Sequence, residues 1–310
     1  MQYQVTLHLD AFCQRRSTAY QSMTIQHIQD IVSKVTTLIS LPKVSLEINR
    51  LIADDNASFA EITQLIELDP ALSAALIRLS NSAALSPGQK IESVQRAISR
   101  LGLNQTTQLI LAIESARSLE ELPNELWPLE DFWHHSLSCA VIARLLCKRY
   151  NLGNPEAAFT AGLLHDIGQL ILFSQLPDVA RACLDNALES DCAANLFEAE
   201  NQRLGFAHTD IGQELARQWA LPDSLADCIA YHHHPQAYTG DSNLPAVVHL
   251  ANSLAVLLEL ESRDMADAPT TDMPAVTGLG ISIESALNVL DECDKEVRDL
   301  MRLFSPAEAA

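Results

Sequence analysis

The sequence has few basic side chains for its length. Its 310 residues include 20 Lys and Arg against 40 Asp and Glu, which gives a net charge of −20. A surface of this sign repels phosphate backbones and anionic lipid headgroups. The composition therefore predicts that neither nucleic acid nor a membrane is a partner of this protein.

Paired cysteines and long apolar runs are also missing. The seven cysteines include no CxxC pair, a pattern that favours reduced thiols in a cytoplasm over a disulfide framework. No run of about 18 apolar residues occurs, and the start of the chain lacks the basic and apolar segments of a signal peptide. With 48% apolar residues the chain can build a large core, so we expect a soluble, cytoplasmic protein.

Strand-like alternation is scarce as well. It is limited to "YQVTLHL" at 3–9, and the rest of the sequence has helical spacing between short breaks. An all-α fold is therefore predicted. A first group of helices is expected at 24–39, 44–53, 58–68, 70–81, 93–100 and 104–115. A second group is expected at 131–149, 154–173, 176–188, 191–204, 208–219, 224–231 and 244–258.

Several helix ends carry their own signals. Ser58 and Glu61 form a capping box, Asp69 precedes a proline of the first turn, and Gly102 is a C-terminal stop. Residues 262–280 are predicted to form a linker that leads to an amphipathic helix at 283–304. That helix can pack back on the body or mediate self-association as a homo-oligomer, and packing back is the favoured interpretation.

Histidine and aspartate residues recur on the second group of helices. They are Asp131, His135, His165, Asp166, His208, His232, His233, His234 and His249. A divalent metal in a helical bundle needs imidazole and carboxylate groups that converge from facing helices. Taken singly, a His-Asp pair is more often a surface pair, and "HHHP" suits a helix C-terminus. However, "AGLLHDIGQLILF" is apolar on nearly all sides, so the Asp166 carboxylate is expected to be buried and to need a partner.

The order of these motifs resembles the HDOD domain, the HD-related output domain of bacterial signalling proteins. The similarity is carried by "LDPALSAALIRLSNSA", "SVQRAISRLGLNQ", "FWHHSLSCAVIARLL", "AGLLHDIGQL" and "AENQRLGFAHTDIGQELARQWALPDSLADCIAYHHHP". It implies an all-α, multi-helix HD-like bundle over 41–258, with an N-terminal helical half at 41–120 and an HD-like half at 131–258. An extension with a helix at 1–40 precedes it, and a linker and C-terminal helix at 259–310 follow.

The resemblance also implies a metal site. The positions that match ligands of related HD phosphohydrolases are His135, His165, Asp166, His208, His232 and His233, with Asp131 where a further acidic ligand can lie. Iron, manganese, zinc or nickel would be the metal. Three features depart from the catalytic relatives: Gln169 replaces a lysine, Asn252 replaces an aspartate, and no GYP segment follows the paired histidines.

Three functions are compatible with these residues. The first is a bacterial signal-transduction output module that regulates unidentified signalling proteins through its helical surfaces, without catalysis and with a vestigial or retained metal site. The second is a metal-dependent phosphohydrolase or cyclic-dinucleotide phosphodiesterase. The third is a metal site that only braces the second half of the fold. The replacements at Gln169 and Asn252 favour the first.

Overall fold

The structure, a computed structural model, describes residues 25–36, 47–48, 51, 58–81, 90–119, 122, 125–189, 196–265 and 273–304. Every regular element in these ranges is helical, so the predicted all-α class is confirmed. The strand predicted at 3–9 lies outside the described residues. The helical prediction at 44–53 falls largely outside them too, with residues 47–48 and 51 helical.

The helices follow the predicted order closely. The first group comprises α1 (25–36), α2 (Phe59–Glu67), α3 (Pro70–Ser80), α4 (Val94–Leu101) and α5 (Leu103–Leu119). The second comprises α6 (Leu129–Tyr150), α7 (Pro155–Leu164), α8 (Ile167–Gln175), α9 (Pro177–Glu189), α10 (Leu196–Leu204), α11 (His208–Gln218), α12 (Asp223–Tyr231) and α13 (Leu244–Glu259). Three more follow: α14 (Met273–Gly278), α15 (Ile283–Leu287) and α16 (Leu290–Phe304).

The predicted end signals are present in the structure. The Ser58 hydroxyl accepts from the Glu61 backbone N–H at 3.2 Å, and the Glu61 carboxylate accepts from the Ser58 N–H at 3.0 Å. Asp69 accepts the Leu72 N–H at 3.0 Å, which caps α3. Gly102 ends α4 with a φ of 80°, a left-handed conformation that glycine adopts without steric cost. These local signals therefore set the helix boundaries of the first group.

The helix predicted at 154–173 is not continuous. It is divided into α7 and α8, with His165 and Asp166 at the junction. The His165 imidazole Nδ1 lies 2.7 Å from the Gly162 carbonyl, which in an unbroken helix would accept the Asp166 N–H. Asp166 then takes φ −103° and ψ 14°, outside the helical region. A side chain of the site thus interrupts its own helix.

The α7 and α8 region forms the centre of the second half. By length and a mean hydropathy of 1.3 the stretch Pro155–Gln175 could cross a membrane, but 89% of its apolar 18-residue window is buried inside the fold. The α7 helix packs against α6, and α6 also packs against α13 and α16. The α11 helix packs between α8 and α12. The junction that carries His165 and Asp166 therefore lies in a buried part of the fold.

The C-terminal segment differs in part from the prediction. The expected linker at 262–280 contains α14, and the helix predicted at 283–304 is divided into α15 and α16. The α16 helix packs against α6, where Glu296 forms an ion pair with Arg144. The Tyr150 hydroxyl donates to the Ser285 carbonyl at 3.1 Å. The prediction that this segment packs back on the body is confirmed.

Replacing Arg144 with alanine is expected to destabilise the protein by about 2 kcal/mol. The guanidinium is buried against the Phe159 ring, 5.1 Å from its centroid, and it pairs with Glu296. Breaking a buried pair costs about 3–5 kcal/mol, but the Glu296 side chain is 13% exposed and can turn toward water. Urea unfolding measures the change. Arg298→Ala removes an exposed pair with Asp294 and should cost under about 0.5 kcal/mol; equal unfolding midpoints for the two variants would contradict this role of Arg144.

Candidate metal centre

The six predicted ligand positions come together in the second half. His135 projects from α6, His165 and Asp166 lie at the α7–α8 junction, and His208 begins α11. His232 and His233 follow the last residue of α12. All are buried except His233, which is partly exposed. The ligand atoms form two groups, each within 4.8 Å, and both contain Asp166: one with His208, His232 and His233, the other with His135 and His165.

The two Asp166 oxygens face different imidazoles. Oδ2 lies 3.0 Å from His165 Nε2 and 3.8 Å from His135 Nε2. Oδ1 lies 3.2 Å from His232 Nε2 and 3.4 Å from His208 Nε2. His233 Nε2 is 3.2 Å from His208 Nε2 on the same side. The carboxylate therefore stands between two clusters of ring nitrogens, as a bridging ligand does in a site for two ions.

The opposite ring nitrogen, Nδ1, is held in four of these histidines. His165 and His232 each contact the backbone carbonyl three residues earlier, at 2.7 and 2.9 Å. His208 contacts Glu200 Oε2 at 2.6 Å and His135 contacts Glu259 Oε1 at 2.9 Å. A carbonyl or carboxylate oxygen only accepts, so Nδ1 must carry the proton. Nε2 of each neutral ring then offers a lone pair toward Asp166.

Three of the convergent atoms are left without a hydrogen bond. They are His165 Nε2, His232 Nε2 and Asp166 Oδ1, all buried and without a hydrogen bond to the described residues, although His232 Nε2 lies 3.2 Å from Asp166 Oδ1. Buried polar atoms in native proteins nearly always have a partner, and a bound ion is one explanation of an exception. Imidazole nitrogens with a carboxylate oxygen are the donors that zinc, iron, manganese and nickel accept. The residues present therefore fit a divalent transition metal.

Burial and close charges perturb the acid-base behaviour of the site in opposite directions. Burial raises the pKa of Asp166, but the neighbouring His165, together with His208 and His232, holds it well below its usual value. Burial lowers the pKa of His208, yet Glu200 and Asp166 outweigh it and raise the pKa to about 10. The carboxylates and imidazolium groups thus balance each other when no ion is present.

The pKa values of the other imidazoles are also shifted, some upward and some downward. Burial lowers the pKa of His165, but Asp166 and Cys139 raise it well above its usual value. Burial lowers the pKa of His232 to about 4. Burial, followed by the neighbouring His232 and His208, holds the pKa of His233 well below its usual range. A metal needs neutral imidazoles, so the lowered pKa values of His232 and His233 favour metal binding, whereas at His165 and His208 the raised pKa values mean that protons compete with the metal.

Two carboxylates of the site were missed by sequence reasoning. Glu200 is fully buried and also accepts the His208 backbone N–H at 2.9 Å. Glu259 reaches His135 from the last residue of α13. Glu200 lies in the stretch "AENQRLGFAH", eight residues before His208, and this shared motif is the signal that could have identified it. Glu259 belongs to no motif with His or Asp. Only the fold reveals that each holds one histidine.

Two other expected positions are not ligands in this arrangement. His249 lies outside both groups, and its Nδ1 is 2.6 Å from the His232 carbonyl, so it supports the chain next to the site. Asp131 is exposed on the first turn of α6 and is also outside both groups. Gln169 and Asn252, which replace a lysine and an aspartate of the catalytic relatives, are both buried. Asp131 and His135 lie one helical turn apart, as predicted, but only the His135 side chain faces the other candidate ligands.

Aromatic rings lie beside both ends of the cluster. The Phe197 ring stacks on His233 with centroids 5.0 Å apart and an interplanar angle of 28°. Trp127 lies 6.1 Å from the His135 ring. Phe197 and Trp127 are both partly buried. These rings restrict the approach of water to the outermost histidines.

Comparison with known proteins finds a matching family model and a related sequence. A family model described as HDOD domain matches residues 38–235. An uncharacterised protein of Treponema pallidum (strain Nichols) is 25% identical over 249 residues, which are 80% of this chain and 48% of that protein. The chain thus spans about half the length of this curated relative.

Two solved structures share the fold. A candidate phosphohydrolase from Shewanella amazonensis SB2B has a TM-score of 0.72 at 24% identity, covering 89% of this chain and 98% of its own. A candidate signal transduction protein from Marinobacter aquaeolei VT8 has a TM-score of 0.66 at 24% identity, covering 86% of this chain and 59% of its own. At this level of identity the likeness extends to the fold.

Proposed function

Because this chain belongs to the HDOD family, we propose that it is an output module of bacterial signal transduction which binds divalent metal and regulates partner proteins without catalysis. The similarity to a candidate signal transduction protein supports the signalling role. The net charge of −20 favours partners that present a basic surface. The partners are expected to be other signalling proteins, with a second copy of this chain as a further possibility.

The metal part of the proposal is supported by the convergent donor atoms. His135, His165, His208, His232 and His233 would hold the metal with Asp166, and iron, manganese, zinc or nickel suits such a set. When bound, a divalent ion polarises phosphoryl oxygens and lowers the pKa of water. The surrounding carboxylates of Glu200 and Glu259 would fix the orientation of two of the rings.

The distribution of positive charge supports a role without turnover, and it is the observation that carries the proposal. Cleaving a phosphoester requires cationic or hydrogen-bonding groups placed at the developing charge. Among the described residues, Arg144 is the one lysine or arginine with a buried side chain, and it pairs with Glu296. The position three residues after Asp166 holds the neutral Gln169, itself buried. These observations support a metal site that has no buried lysine or arginine among the described residues other than the paired Arg144.

A metal-dependent phosphohydrolase is the second candidate. It is favoured by the completeness of the ligand set, since six potential donors meet in two groups that share Asp166. Its structural relative from Shewanella amazonensis SB2B is a candidate phosphohydrolase. The proposed substrates are phosphoesters and, in particular, cyclic dinucleotides.

Metal content and hydrolysis measured on one preparation separate the two candidates. Protein without an affinity tag is loaded with manganese or iron, analysed for metal per chain, and incubated with bis(p-nitrophenyl) phosphate and with a cyclic dinucleotide. We expect near-stoichiometric metal and a rate equal to that of His165→Ala, which serves as the background control. Hydrolysis by the wild-type protein that is lost in His165→Ala would establish the phosphohydrolase instead.

A further inference from the structure

One histidine of the metal centre is held differently from the others. Nδ1 of His165 and of His232 contacts a backbone carbonyl of its own turn, so their orientation follows from the helix. His208 is held by Glu200, whose side chain has no solvent exposure. His135 is held by Glu259, which is 124 residues away in the chain and has a side chain 33% exposed. The orientation of His135 therefore depends on one remote, partly solvated carboxylate.

Glu259 belongs to two environments at once. It is the last residue of α13 and contacts the His135 ring in the metal centre. It also lines an open groove formed by the start of α6, the end of α13 and α16. Residues of α16 in that groove include Asp291 and Asp294, which pair with Arg263 and Arg298. Glu259 therefore contacts the candidate metal centre and also lines the groove next to the C-terminal helix.

We propose that Glu259 is a positioning residue for the ion position formed by His135, His165 and Asp166. Its carboxylate keeps the proton on His135 Nδ1, so that the Nε2 lone pair faces Asp166. This inference rests on the proposed metal centre. Metal occupancy of one of its two ion positions would depend on Glu259. The other position, with His208, His232 and His233, makes no contact with Glu259 among the described residues.

The physical reason is the choice between tautomers. A hydrogen bond at one ring nitrogen decides which nitrogen carries the proton and thus which one can bind metal. Without an acceptor at Nδ1, His135 can place its proton on Nε2, and the ring can rotate about its side-chain bonds. Loss of such an outer carboxylate costs about 10- to 100-fold in metal affinity. The loss is expected at one ion position and not at the other.

Three variants test the role of Glu259. Glu259→Ala removes the acceptor, whereas Glu259→Gln keeps an amide oxygen that can still accept from Nδ1. Glu261→Gln is the matched control, because Glu261 lines the same groove and has no described contact with His135. Nitrogen NMR of the metal-free proteins reports the protonation of the His135 ring, and cobalt titration with elemental analysis reports affinity and content. Urea unfolding in chelator verifies that each variant folds.

We expect the Glu259→Ala protein to lose the Nδ1–H signal of His135 and to bind one of its two ions about 10- to 100-fold more weakly. Glu259→Gln should keep the signal and lie between Glu259→Ala and wild type in affinity, and Glu261→Gln should match wild type. An unchanged ring signal and unchanged affinities in Glu259→Ala would overturn the proposal. Wild-type protein that binds no cobalt would refute the metal centre, while the metal-free NMR spectra would still report separately whether Glu259 holds the ring.

Discussion

Replacing Asp166 with asparagine is expected to remove metal from both ion positions. Its two oxygens face different groups of imidazoles, at 3.0 Å from His165 Nε2 and 3.2 Å from His232 Nε2. An amide is neutral and offers one oxygen, so it cannot serve both groups. We expect affinity to fall by more than about 100-fold, the upper end of what the loss of an outer-shell partner costs. Elemental analysis after dialysis measures the metal that remains per chain.

Asp131→Asn is the matched control for this prediction. Asp131 lies on the first turn of α6, one turn before His135, but it is exposed and outside both ligand groups. Its variant should therefore keep the metal content of wild type. Full metal in Asp166→Asn would exclude a shared carboxylate. Equal losses in the two variants would instead bring Asp131 into the coordination shell, which the described side-chain positions do not support.

Replacing Gly168 with alanine should cost about 3 kcal/mol in the free energy of unfolding. A Cβ at this position would lie 1.9 Å from the His208 carbonyl oxygen and 2.6 Å from the Gly212 nitrogen. Both are backbone atoms of α11, so no side chain can turn aside and the two helices must separate. Overpacking of a buried contact costs about 1–3 kcal/mol, and a clash with backbone belongs at the upper end. Urea unfolding in the presence of chelator measures the effect on the fold alone.

Gly278→Ala provides the control for crowding by a single methyl group. A Cβ at Gly278, the last residue of α14, meets no atom within 4 Å. This variant should unfold within about 0.5 kcal/mol of wild type, as surface substitutions usually do. If Gly168→Ala were equally neutral, α8 and α11 could not be as close as the structure has them.

The close approach of α8 and α11 also affects the geometry of the candidate metal centre. Gly168 lies two residues after Asp166, and the carbonyl it contacts belongs to His208. Separation of the helices would therefore move His208 Nε2 away from Asp166 Oδ1, now 3.4 Å apart. We expect Gly168→Ala to bind metal more weakly even under conditions where it remains folded. Stability and metal binding are coupled here because one helix contact serves both.

Local sequence was sufficient to predict most of the helices and the residue types that converge at the candidate metal centre. Helical periodicity, the capping box of Ser58 and Glu61, and the stop at Gly102 are interactions within a few residues, so they can be predicted from local sequence. The meeting of His165 and Asp166 with the other histidines followed from the resemblance of ordered motifs. Their burial followed from the apolar residues on both sides.

The arrangement of those side chains depends on contacts between residues that are distant in the sequence. The break between α7 and α8 follows from an imidazole that contacts the Gly162 carbonyl, and the role of Glu259 follows from a contact across 124 residues. His249 and Asp131 have the same residue types as the ligands, yet they face elsewhere. Local sequence sets which residues share a helix face. The direction in which that face points is set by packing between distant helices, where contacts such as Gly168 against His208 fix the distances.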